Sequence, residues 1–163
     1  MVDPSTRRFP PHRDRHGRGL RGQLLPHDVP AYRTGSQQFD AAVLAAYGPL
    51  VEMFPDELST VDLAVDIVPR MNLSPDEILA SDDIVADGPV PLGRIIPTGV
   101  DRHGHPIRPH LVLFRAPIMN RANDARESGD RKELLDEIIH EVLVILVANY
   151  VGVDPRDIDP SLD

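Results

Sequence analysis

The residues best suited to chemistry are His140 and Glu141, which open the stretch IIHEVLVILVANYVGVD, residues 138–154. In the zinc-peptidase pattern H-E-x-x-H, a helix carries the second histidine four residues after the first, so both imidazoles project from one face. The intervening glutamate then serves as general base on the metal-bound water. Here the second position is Val144, whose side chain has no lone pair to give a metal. Further imidazoles lie upstream at His103, His105 and His110. A rearranged zinc site would draw on His140, His103 and His105, with Glu141 as the catalytic base. The competing expectation is structural. His140 then bonds a carboxylate such as Asp136 or Glu137 one turn earlier, and His103 and His105 face solvent in a turn.

Other chemistries are poorly supplied. The chain has no cysteine, which removes disulfides, thiolate zinc sites and thiol catalysis. Neither a glycine-rich phosphate loop nor a G-x-S-x-G elbow is present. Asp82, Asp83 and Asp87 lack the ligand spacing of a calcium loop and are expected in a solvated acidic loop.

Several elements must position these residues. From Ser36, a candidate N-cap, Phe39, Val43, Ala46, Leu50 and Phe54 recur at helical spacing, which predicts a helix from Gln37 to Phe54. Gly48-Pro49 should kink or break it near Tyr47. Val61, Leu63, Val65 and Ile67 alternate with Asp62, Ala64, Asp66 and Val68, the period of a strand. Ser74, Pro75 and Glu77 form the signature of a capped helical turn. Strands over about 90–97 and 110–116, with prolines at their ends, make a hairpin whose connection carries His103 and His105. A last helix from Asp130 to Val151 opens on a capping-box pair, Asp130 and Glu133, and stops at Gly152. From Val142 to Ala148 it is wholly apolar, as in a helix covered on all sides.

Charge divides the chain. Residues 1–35 hold seven Arg and three Asp, a balance of +4. The total of −9 therefore leaves −13 on residues 36–163. The first segment, which includes Arg13, Arg15, Arg18 and Arg21, is rich in Arg, Pro and Gly without apolar periodicity. It reads as a flexible basic arm before a single domain over 36–163. An arm of this kind suits an acidic partner or a nucleic acid, whereas the acidic body does not. With no apolar run long enough for a signal or a membrane span, a cytoplasmic protein is expected. The Arg, Ala, Pro, Asp and Val bias fits a GC-rich bacterial coding sequence.

The co-linear set FDAAVLAAYGPL, VPLGRIIPTG, HLVLFRAPIMNRA and the closing YVGVD resembles the minimal zincin-like metallopeptidase family of bacteria, in its high-GC branch, over roughly residues 38–155. The resemblance implies a terminal helix of the form H-E-x-x-H-x-x-G followed by an acidic residue. Anchored on His140 and Glu141, that pattern meets Val144 and Val147. Anchored without gaps on Gly152 and Asp154, it meets Ile145 and Asn149 in place of the histidines and Leu146 in place of the glutamate. The second alignment keeps the helix end, and it implies that Asn149 lines the former cleft while His140 points elsewhere. Either alignment lacks the zinc-binding pair.

The expected fold is therefore α+β: a minimal zincin-like two-layer domain, with a small mixed sheet of three or four strands packed on two main helices. The expected function is that of a pseudoenzyme without a cofactor, a binding module for an extended peptide or protein held by strand addition at an exposed sheet edge. Two alternatives stand beside it. One is an active zinc metallopeptidase rebuilt on His140 and Glu141, and the other a nucleic-acid-associated protein acting through the arm.

Overall fold

The apolar run of the last helix decides where the core lies. In the computed structural model, which describes residues 34–124 and 130–162, helix α5 spans Arg131–Val151. Val142, Leu143, Val144, Leu146, Val147 and Ala148 on it are completely buried. Asp130 caps its first turn by accepting the Lys132 N–H at 3.0 Å. The expected reciprocal half through Glu133 is not part of that cap. At the other end Gly152 adopts φ 85°, and the N–H groups of Gly152 and Val153 both donate to the Ala148 carbonyl, at 2.8 and 3.0 Å. A left-handed residue that turns the chain back in this way suits glycine, which has no Cβ to clash.

The sheet lies against this helix. Strands β1 (Asp62–Asp66), β2 (Ile84–Asp87), β3 (Val90–Ile96) and β6 (His110–Phe114) pair in the order β1-β6-β3-β2. β1 runs parallel to β6, and β3 is antiparallel to both β6 and β2. Gly93 faces Leu113 across the ladder and approaches α5 closely. A Cβ placed on it would stand 3.0 Å from Leu146 Cδ1 and 3.1 Å from Val142 Cγ1. Strand alternation puts Leu111 and Leu113 on the α5 side, and both are buried in the central cluster. Helix α1 (Gly35–Met53) lies against α5, contributing Phe39, Val43 and Leu50 to the same cluster. The fold is thus the expected α+β arrangement of a mixed sheet and two main helices.

Local expectations were met where a pattern was strong. α3 (Pro75–Leu79) carries a complete capping box between Ser74 and Glu77. β3 and β6 form the expected antiparallel pair, and their connection folds into its own ribbon, β4 (Gly99–Val100) with β5 (Pro106–Ile107).

Four expectations need correction. α1 runs unbroken through Pro49, because Gly48 and Pro49 lie on the exposed face. There the carbonyl deprived of its partner meets solvent, and glycine relieves the crowding before the ring. Ser36 lies within that helix instead of capping it, and its hydroxyl accepts from Arg115 Nη1. The strand expected to run to about 116 ends at Phe114, and α4 (Arg115–Asp124) begins directly after it. Pro117 sits in its first turn, where a missing N–H is harmless, and Ile118 and Ala122 are buried. Asp87 ends a strand and does not belong to an acidic loop. Arg13, Arg15, Arg18 and Arg21, with the rest of the expected basic arm, lie outside the described residues.

Candidate functional site

One stripe of α5 borders a cleft at the edge of the core, to which its Ile138 belongs. Leu134, Glu137, Ile138, Glu141 and Ile145 recur at helical spacing and form one wall of a cleft of about 670 Å³. Arg121 of α4 contributes from one side. The chain beyond α5, with the short helix α6 (Pro155–Ile158), closes the other through Asp154, Arg156, Asp159, Ser161 and Leu162. α6 starts where it does because Asp154 accepts the Arg156 N–H at 2.9 Å and Pro155 occupies its first position.

His140 lines this cleft and fastens its far wall. Its Nε2 lies 2.8 Å from Asp159 Oδ2, and since an ionised carboxylate only accepts, the ring donates. The other carboxylate oxygen accepts the Ser161 N–H at 2.9 Å and the Ser161 hydroxyl at 2.7 Å. The Ser161 hydroxyl and amide, followed by the His140 ring, hold the Asp159 carboxyl down at about 2 from its ordinary 3.8. The carboxylate stands between serine and histidine, and the hydroxyl spends its proton on it. The trio is therefore a clasp and not a nucleophile relay, which needs the imidazole in the middle.

Glu141 faces a cation. Arg121 bridges two carboxylates, with Nη2 3.4 Å from Glu141 Oε2 and Nε 3.5 Å from Asp87 Oδ2. A carboxylate occupied in this way is poorly arranged to accept a proton from water. His103 and His105 sit on the β4–β5 turn, where Asp101 accepts both of their backbone N–H groups, at 2.7 and 2.9 Å. His110 directs Nδ1 to the Arg108 carbonyl at 2.7 Å. Among the described residues no three His, Asp or Glu side chains gather as metal ligands, so His103 and His105 are not assembled with His140.

The positions singled out by the zincin alignments scatter. Val144 is fully buried in the core. Ile145 and Asp154 line the cleft, Leu146 packs over Gly93, and Gly152 is the helix cap. Asn149 is exposed and donates from its side-chain amide to the Asp82 carbonyl at 2.8 Å. The cleft is lined by His140 and not by Asn149. Arg121, Asp159 and Ser161 escaped the sequence reading. The Asp-Pro start of α6 was the one local signal that the chain turns back beyond Gly152.

The clasp makes a pH prediction. A carboxyl with a depressed folded pKa adds stability above its unfolded value, and that contribution is lost as pH falls from 3.8 towards about 2. Asp159→Asn should therefore melt below the unsubstituted chain at about pH 6, with the gap closing through that acid window. Thermal melts in stepped buffers check it. A gap that does not change with pH would remove the clasp from the account.

Among the described residues no helix is long and apolar enough to cross a membrane. Against known proteins, no family model matches the sequence and no curated protein is significantly similar to it.

Proposed function

We propose that the protein is a non-catalytic peptide- or protein-binding module, a zincin-like scaffold whose former reaction has been lost. One observation carries this reading: Glu141, Asp159, His140 and Ser161 in the cleft are engaged with other side chains while its floor is apolar. Glu141 faces Arg121, and Asp159 bonds His140 and Ser161. That leaves the half-buried Leu134, Ile145 and Leu162 to receive a side chain. Concave apolar floors with a few fixed polar groups are the usual form of a binding site.

Peptide display against the purified full chain tests the proposal. Enriched sequences should bind the chain in titration calorimetry and lose binding to Ile145→Trp, which fills the cleft. Enrichment indifferent to that substitution would sink the reading. So would chelator-sensitive cleavage of an unfolded protein that disappears in Glu141→Gln, which would instead establish the metallopeptidase.

A further inference from the structure

Resting on that reading, we infer that the occupant of the α5–α6 cleft is a short extended segment carrying Lys or Arg beside an apolar side chain. Four carboxylates line the cleft, Glu137, Glu141, Asp154 and Asp159, against two guanidinium groups, Arg121 and Arg156. The internal pairings do not cancel this surplus. Arg121 is divided between Glu141 and Asp87, so one cation serves two anions. Asp159 is satisfied by hydrogen bonds from His140 and Ser161, and Asp154 by the α6 amide of Arg156. Glu137 is exposed on the rim and makes no ion pair among the described residues. A concave surface of one sign over low-dielectric walls concentrates the opposite charge, and residues 36–163 as a whole carry −13. Polyanions, nucleic acid included, are repelled by the same field.

Length follows from helix geometry. Leu134 and Ile145 lie about 16 Å apart along α5 at the helical rise, which an extended chain covers in about five residues. Glu137 and Glu141, one turn apart, are separated by about 6 Å along the axis, close to the spacing of alternate side chains in a strand. A segment with basic residues at alternate positions would therefore set its charges on the glutamates of α5, while the apolar side chains between them, pointing to the opposite face of the extended chain, would meet the far wall at Pro155 and Leu162.

Four fluorescein-labelled pentapeptides test this with the full chain by anisotropy: Lys-Leu-Lys-Leu-Lys, Glu-Leu-Glu-Leu-Glu, Ser-Leu-Ser-Leu-Ser and Lys-Ser-Lys-Ser-Lys. The first should bind at least about tenfold more tightly than the other three and weaken in about 0.5 M salt. Its binding should fall several-fold in Glu137→Gln, a surface change that leaves the circular dichroism intact, and vanish in Ile145→Trp. If the serine or glutamate peptide binds as well as the first and Ile145→Trp abolishes both, the charge preference is overturned while the binding cleft stands. If the two lysine peptides bind alike and Ile145→Trp changes nothing, or if no peptide binds, both the preference and the cleft reading fall.

Discussion

Val144→His, which completes the H-E-x-x-H spacing begun by His140 and Glu141, is expected to destabilise the fold by roughly 2–6 kcal/mol and to confer no one-to-one zinc binding. Val144 is completely buried. An imidazole there is larger than the valine it replaces and must give up hydration without a polar partner in an aliphatic cluster. Overpacking and polar burial cost about 1–3 kcal/mol each in measured substitutions. Zinc could offset this only if a third ligand were waiting beside His140, and the groups beside it are already paired, Asp159 with Ser161 and Glu141 with Arg121. Urea unfolding measures the loss, and elemental analysis after dialysis measures the metal. A variant of unchanged stability that retained one zinc per chain would mean that this face of α5 is still a metal site.

Gly93→Val should cost about 3 kcal/mol, at the upper end of what an overfilled core position loses. A Cβ at this position meets Leu146 Cδ1 and the Val112 carbonyl oxygen, each at 3.0 Å. Leucine can rotate away, but the carbonyl belongs to the sheet ladder and cannot. Adding Leu146→Ala to the variant should therefore recover only part of the loss, and double-mutant unfolding curves read the coupling. Full recovery would show that the side chain alone sets the limit, and that helix and sheet are not held at this distance by backbone.

These substitutions bear on how much was legible beforehand. The span of α5 was readable because capping, apolar character and the glycine stop are local and agree with one another. The same holds for the capping box at Ser74 and for the pairing of β3 with β6. α4 was not readable, since its packing rests on only two fully buried positions, Ile118 and Ala122, too few to establish a period. β2 has four residues, and its place in the sheet depends on β3 beside it. Pro49 was expected to break α1. Tertiary packing overrode that preference, with Val43 and Leu50 buried on either side of the exposed Gly48-Pro49 step.

By itself the sequence determined which atoms are on offer: the terminal helix carries one histidine, and at the next ligand position it carries carbon. It also determined the mixture of helix and strand, because periods of 3.6 and 2 residues are written in the order of side chains. Only the tertiary structure decided what those atoms meet. His140 finds Asp159, 19 residues further on, and not the carboxylates one turn before it, and Glu141 finds Arg121 from another helix. Such pairings depend on where the chain turns after Gly152 and on how α4 lies against α5, and no local period encodes the crossing of two elements.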